Sequence, residues 1–78
     1  MPRVLLFGSL AEAAGARSAE LDGRTVSDVL EDARARFDDR FSALLPTSSV
    51  WVNGEGARPD REVFDHDEIA LLPPMSGG

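Results

Sequence analysis

The chain has 78 residues, a formal net charge of −6 and 42% hydrophobic residues, which predicts one small acidic globular domain. It contains no cysteine and no lysine, so disulfides, thiolate catalysis, zinc–thiolate sites and Schiff bases on a side-chain amine are excluded. The acidity disfavours nucleic acid as a partner; it either attracts a basic partner surface or serves only solubility.

The N-terminal third is predicted to hold two strands around a short helical turn. The segment from Arg3 to Phe7 is apolar after its first residue and is bounded by Pro2 and Gly8, as expected of a strand. The alanine-rich stretch Leu10–Ala14 predicts a helical turn closed by a glycine, and Ser18–Leu21 predicts a second short strand. The first apolar run is too short for a signal peptide or a membrane span, so no membrane association and a cytoplasmic location are expected.

The main helix is predicted to begin after Thr25. A threonine hydroxyl can accept a hydrogen bond from an early helix amide, and Asp28 places a carboxylate in the positive first turn. The apolar residues that follow are spaced to form one stripe, which would face the core: Val26, Val29, Leu30, Ala33 and Phe37.

The second half of the chain predicts further strands. Residues 41–45 indicate either a helical turn or a packed loop before Pro46. Val50–Val52 predicts a strand leading into an Asn53-Gly54 hairpin turn, and Ile69–Leu72 predicts a buried last strand. Between the hairpin and the last strand lie a polar loop, an apolar pair that is a short strand or loop, and a turn: 57–62, Val63-Phe64 and Asp65-His66-Asp67.

The last strand leads directly into a C-terminal arm of unusual composition. We divide the chain into a domain, residues 1–72, and a tail, residues 73–78. Pro73 and Pro74 stiffen the tail, whereas Gly77 and Gly78 give it a narrow tip that can enter a channel. At about 3.1–3.3 Å per residue, the tail would reach about 20 Å. The alternative is an ordinary frayed terminus.

The C-terminal sequence from Asp67 to Gly78 resembles that of the ThiS/MoaD family of ubiquitin-like sulfur carriers, and specifically the small subunit of molybdopterin synthase. Three upstream segments match in the same order: residues 4–8, 10–15 and 52–55. One departure is His66, because the family commonly has glycine at this point of the turn.

The element order and the resemblance indicate the same α+β fold. Two N-terminal strands, one crossing helix and later strands predict a β-grasp (ubiquitin-like) roll: a mixed sheet of four to five strands with one main helix packed on one face. The first and last strands would lie parallel at its centre. Both are apolar at both parities, so an exposed apolar patch is expected, formed by Leu5, Phe7, Ala70 and Leu72. Trp51 fits either this patch or the core.

The resemblance implies a chemical role for the C-terminus. Gly78 would be adenylated by a ubiquitin-activating-type adenylyltransferase, which supplies ATP and magnesium, and a sulfur donor protein would convert it to a thiocarboxylate. The charged tail would then enter the molybdopterin synthase large subunit, for molybdenum cofactor biosynthesis. The chain would be a non-catalytic subunit with no stably bound cofactor. Its partner-binding residues would be Gly77, Ser76, Met75, Pro74, Pro73, Leu72 and Phe7.

Three other functions fit the sequence. The sulfur could serve thiamine, cysteine or tRNA thiolation. The protein could be a ubiquitin-like modifier joined through Gly78 to lysines of targets, or an interaction module whose tail is incidental. Metal binding and acid–base catalysis are not expected, because His66 is a lone histidine in a polar turn and acid pairs such as Asp38-Asp39 lack companion groups.

Overall fold

A computed structural model describes residues 1–74 of the chain. A helix follows the first strand, a longer helix follows the second strand, and three strands close the fold. The elements are β1 Arg3–Leu6, α1 Gly8–Ala14, β2 Ser18–Glu20, α2 Val26–Arg36, α3 Asp39–Leu44, a 3₁₀ turn Leu45–Thr47, β3 Ser49–Val52, β4 Glu55–Gly56 and β5 Glu68–Leu72.

The sheet is five-stranded, in the order β2-β1-β5-β3-β4. β1 and β5 run parallel, and the other neighbouring pairs are antiparallel. The last strand of the chain therefore lies at the centre of the sheet, between the first strand and the hairpin. This mixed sheet with α2 packed on one face confirms the predicted β-grasp α+β fold, to which α1 and α3 add two short helices.

The core forms where the two central strands meet the helices. Alternate residues of β1 and β5 are buried, as the period of two in a strand requires. α2 covers them with the predicted apolar stripe, of which Val26, Val29 and Ala33 are fully buried while Leu30 and Phe37 are partly buried. The buried residues of the central strands are Val4, Leu6, Ile69 and Leu71.

The start of α2 is capped as predicted. The Thr25 hydroxyl accepts a hydrogen bond from the Asp28 backbone N–H at 3.2 Å. The Asp28 carboxylate in turn accepts from the N–H of Arg24 at 3.3 Å, one residue before the cap. Two backbone donors at the helix start are thus satisfied by side chains.

The segment before Pro46 is a helix, which settles the alternative left open by the sequence. Asp38 caps the start of α3, since its carboxylate accepts from the Phe41 backbone N–H at 3.0 Å. The Phe41 ring is fully buried, with its centroid 4.7 Å from that of Phe37 on the end of α2. Pro46 lies inside the following 3₁₀ turn.

The hairpin forms where it was predicted. Asn53 and Gly54 have φ values of 51° and 82°, the left-handed values that a two-residue hairpin loop requires. The Val63-Phe64 pair is split between core and surface, because Val63 is buried and Phe64 is exposed. Within residues 1–74 His66 is not among the residues with positive φ, so histidine fits the turn without strain.

Candidate functional site

The root of the tail is held at the middle of the sheet. β5 pairs with β1 on one side and β3 on the other, up to Leu71 and Leu72. The Phe7 backbone N–H donates to the Leu71 carbonyl at 3.2 Å, which extends the β1–β5 pairing by one residue. The segment that follows, beginning with Pro73, therefore starts from a fixed point.

Pro73 packs against the first residue of α1. A Cβ placed on Gly8, which has φ +54°, would lie 2.9 Å from Cγ of Pro73. The proline ring therefore occupies space that any other residue at position 8 would fill, and Pro73 is half-buried there. Pro74 is exposed. Of the predicted tail residues, Met75, Ser76, Gly77 and Gly78 lie outside the described part of the chain.

The predicted exposed face of the sheet is present beside the tail root. Phe7 is 45% exposed and Leu72 is 37% exposed, whereas Leu5 and Ala70 are half-buried. These residues alternate with the buried ones, so they lie on the sheet face opposite α2. We call them, with the tryptophan described next, the apolar face.

Trp51 belongs to the apolar face and not to the core. It pairs with Ala70 across the β3–β5 ladder, and Ala70 pairs with Leu5 across the β1–β5 ladder. Residues paired across strands share a face, so these three form one row, in which the Trp51 side chain is 40% exposed. The next row of the same face, at the end of the sheet where β1 and β5 begin, is charged, since Arg3 pairs with both Glu20 and Glu68.

A notch opens at the edge of the apolar face, where β1 extends past the end of β2. Its volume is about 370 Å³. Arg17, which no sequence pattern singled out, is among the residues that line the notch. Only the antiparallel β1–β2 pairing brings this residue beside Phe7, so no local sequence signal could have found it. The lining residues are Leu5, Leu6, Phe7, Gly8, Ala11 and Arg17.

A polar network fixes the opposite end of β5. The buried Asp67 carboxylate accepts from the Asn53 side-chain amide at 2.9 Å and from the Phe64 backbone N–H at 2.8 Å. The Asn53 side-chain oxygen accepts from the Glu68 N–H at 2.9 Å. The hydrogen bond from Asn53, followed by that from Phe64, lowers the pKa of Asp67 below its usual value.

The described residues offer little for metal or cofactor chemistry. Across residues 1–74 no three or more histidine and acidic side chains gather as metal ligands would. The His66 side chain is 84% exposed and lies 3.6 Å from the Asp67 carboxylate. Within residues 1–74 the site therefore consists of an exposed apolar face and the start of the tail, without a cluster of metal-ligating side chains.

No helix within residues 1–74 combines the length and the apolar character needed to cross a membrane.

Fold and site together define a ubiquitin-like β-grasp protein whose central strand runs straight into its C-terminal residues. The chain belongs to the ThiS family, whose model matches residues 4–78. It is therefore a sulfur carrier or ubiquitin-like modifier of the ThiS/MoaD group, as the resemblance of its C-terminal sequence implied.

Curated relatives match nearly the whole chain, and two of them illustrate the range of names. Small archaeal modifier protein 1 (SAMP1) of Haloferax volcanii is 36% identical, with 94% of this chain and 95% of the relative covered. The molybdopterin synthase sulfur carrier subunit of Chlamydomonas reinhardtii is also 36% identical, with 97% of this chain and 96% of the relative covered.

Solved structures have the same fold. The crystal structure of the Haloferax volcanii SAMP1 superposes with a TM-score of 0.80 at 34% identity, covering 97% of each chain. A chain of the Amycolatopsis orientalis BexX/CysO complex superposes with a TM-score of 0.83 at 26% identity, covering 100% of each chain.

Proposed function

We propose that this protein is the sulfur carrier of molybdopterin synthesis, acting as the small subunit of molybdopterin synthase. The observation that supports this most is the exit of the tail: β5, the central strand, passes into Pro73 and Pro74 beside the exposed apolar face. A partner that covers this face meets the tail at its root. The 36% identity to a molybdopterin synthase sulfur carrier subunit supports the choice of pathway.

The proposed chemistry takes place on the carboxylate of Gly78. A carboxylate is a poor electrophile, because its charge is delocalised and its leaving group would be oxide. Transfer of AMP from ATP gives an acyl adenylate and pyrophosphate; hydrosulfide delivered by the sulfur donor then attacks the acyl carbon and displaces AMP, which leaves a thiocarboxylate. The chain has no cysteine, so a side-chain persulfide is impossible and the terminus is the remaining place for the sulfur.

Several partners follow from this proposal. A ubiquitin-activating-type adenylyltransferase would bind ATP and magnesium, a sulfur donor protein would supply the sulfur, and the molybdopterin synthase large subunit would receive it, all in the cytoplasm. The apolar face and residues 73–77 would make the contacts. Phe7, Leu72 and Pro73 are adjacent in the fold, as this role requires.

Mass spectrometry tests the proposed chemistry directly. Incubation with the activating enzyme, ATP and a sulfur donor should raise the intact mass by about 16 Da, the exchange of one oxygen for sulfur. A variant lacking Gly77 and Gly78 is the matched control and should gain nothing. An unchanged mass in the full-length protein would contradict the proposal.

The 36% identity to SAMP1, a modifier by name, favours one second candidate: a ubiquitin-like modifier joined through Gly78 to amines of other proteins. Denaturing electrophoresis distinguishes the two functions. Conjugates of higher mass that survive denaturation and disappear in the variant lacking Gly77 and Gly78 would establish the modifier role. A protein recovered only with its uncoupled mass and in a complex with the large subunit would support the sulfur carrier alone.

A further inference from the structure

We infer that the notch beside the tail root receives an apolar side chain of the partner enzyme together with a neighbouring aspartate or glutamate, whose carboxylate pairs with Arg17. This inference rests on the proposed function and specifies how the molybdopterin synthase large subunit recognises the carrier.

The position of Arg17 is fixed by the backbone around it. Gly15, in the left-handed conformation at φ 71°, ends α1, and its N–H donates to the Ala11 carbonyl at 2.9 Å. Two residues later the Arg17 carbonyl accepts from the Leu6 N–H at 2.8 Å. The main chain at Arg17 is therefore anchored on both sides, so that only the side chain, and not the loop, has to be ordered when a partner binds.

The Arg17 guanidinium is also available to pair with a carboxylate of a partner. Within residues 1–74 its guanidinium makes no ion pair, unlike Arg34 and Arg36 on α2, which pair with Glu31 and Asp32 at 2.9 Å and 3.1 Å. The molecule as a whole carries a net charge of −6, so a partner surface that fits it is expected to be basic overall. A cation at this edge therefore identifies one place where the partner should present an acid.

The walls of the notch decide the rest of the occupant's chemistry. Leu5, Phe7 and Ala11 provide apolar surface, and Arg17 is the charged side chain among the lining residues. A phosphate or other small anion would pair with Arg17 but leave the apolar walls exposed to water. A leucine-like side chain followed by a carboxylate would both bury the apolar walls and pair with the guanidinium. Apolar anchors and arginine are also the typical centres of binding energy in protein interfaces.

The notch and the tail are neighbours through one residue. Gly8 lines the notch and also contacts the Pro73 ring. A partner segment seated in the notch would therefore lie against the root of the tail and set the direction in which the tail enters the partner. Recognition and delivery would then use adjoining surfaces.

Trp51 provides a selective probe for a binding experiment. It is the single tryptophan of the chain, and it lies exposed on the apolar face. In nitrogen-15-labelled carrier its indole N–H gives one NMR signal, which titration with unlabelled molybdopterin synthase large subunit should shift or broaden. The dissociation constant is then compared among variants of the full-length carrier.

Charge reversal at Arg17 is the central test. Arg17→Glu should weaken binding at least about tenfold, whereas Arg17→Lys should stay within about threefold of the wild type. The matched control is Arg40→Glu on α3. Arg40 is exposed, makes no ion pair within residues 1–74 and undergoes the same change of charge on the helical side of the sheet. It should change affinity by less than about twofold. Equal losses of affinity in Arg17→Glu and Arg40→Glu would mean that Arg17 acts only through the net charge of the protein, and would overturn the inference.

Filling the notch tests the apolar part. Ala11→Leu places a larger side chain among the lining residues and should also weaken binding at least about tenfold. Ala35→Leu, at an exposed position of α2, is the control and should bind as the wild type does. Thermal melts of each variant exclude loss of the fold as the cause. Undiminished binding by a folded Ala11→Leu variant would show the notch to be empty in the complex.

The outcomes separate this inference from the proposed function. If the wild type gains the mass of one sulfur exchange and binds the large subunit, but Arg17→Glu binds equally well, only the inference about the notch is wrong. If the wild type neither gains mass nor binds the large subunit, both proposals fall.

Discussion

Asp67 is a buried carboxylate that ties two turns to the start of β5. Its hydrogen bonds come from the hairpin residue Asn53 and from the Phe64 backbone. In the sequence, Asn53 and Asp67 belong to two separate predicted turns. Their contact spans 14 positions along the chain, and nothing in either local pattern announces it.

Removing this carboxylate should destabilise the fold. Asp67→Ala leaves the Phe64 N–H and the Asn53 amide without their acceptor, which costs about 1–3 kcal/mol of unfolding free energy. Asp60→Ala is the control, because its side chain is 84% exposed and lies 3.8 Å from Arg58; its effect should stay within about 0.5 kcal/mol. Urea denaturation of both variants measures the difference. Equal stability of the two variants would refute the role assigned to the network.

The lowered pKa of Asp67 gives this contribution a pH dependence. A carboxyl group that is more acidic in the folded than in the unfolded state stabilises the fold above its unfolded pKa of about 3.9. The stabilisation is lost as the pH falls through the folded pKa, where the native carboxylate takes up its proton. The stability gap between wild type and Asp67→Ala should therefore be constant near neutral pH and narrow on acidification below about pH 4. Denaturation curves across this range measure the gap, and one that widened towards low pH would contradict the assignment.

At the scale of elements, the sequence predicted the start of α2 and the β3–β4 hairpin, because each is determined by interactions between residues close together in the chain. The Thr25 hydroxyl and the Asn53-Gly54 pair act over three or four residues, and both the helix start and the hairpin turn lie where they were predicted. The nature of residues 41–45 stayed open, because their helix depends on the Asp38 cap and on burial of Phe41 against Phe37.

Of the candidate site, the alternation in β1 and β5 predicted which side chains are exposed. The placement of Trp51 required the register of the β3–β5 ladder, which sequence alone does not give. The position of Arg17 likewise required the β1–β2 pairing. Pairings between distant strands are therefore the information that the sequence pattern lacked.

The cap of α2 should account for measurable stability. Thr25→Ala removes the acceptor for the Asp28 N–H and should lower the unfolding free energy by about 1 kcal/mol. Ser27→Ala, two residues on and exposed within the helix, is the control and should be neutral or slightly stabilising, since alanine is the better helix former. Chemical denaturation distinguishes them. A neutral Thr25→Ala variant would mean that neighbouring contacts, such as the Thr25–Glu62 bridge, hold the helix start without the cap.

At the scale of the whole molecule, exposed phenylalanines at opposite ends of the sheet allow a matched comparison. Phe7 lies beside the tail root, and Phe64 lies at the far end, near the start of β5. Under the proposed function Phe7→Ala should weaken binding of the large subunit at least about tenfold, because a central aromatic contact is lost. Phe64→Ala should bind normally.

Both phenylalanine variants should fold, because each side chain is about half exposed: 45% for Phe7 and 56% for Phe64. Calorimetric titration provides the two affinities. Loss of binding in Phe64→Ala alone would move the docking surface to the other end of the molecule.

The parallel pairing of the first and last strands has a mechanical consequence. The chain enters β1 at one end of the sheet and leaves β5 at the other, so a force pulling on both termini slides these two neighbours past each other. Every hydrogen bond of that ladder then bears load at once, whereas the antiparallel β3–β4 hairpin would open one bond at a time if its free ends were pulled. Pulling the C-terminal tail away from the N-terminus would therefore load the β1–β5 ladder in shear, the direction in which its hydrogen bonds resist together.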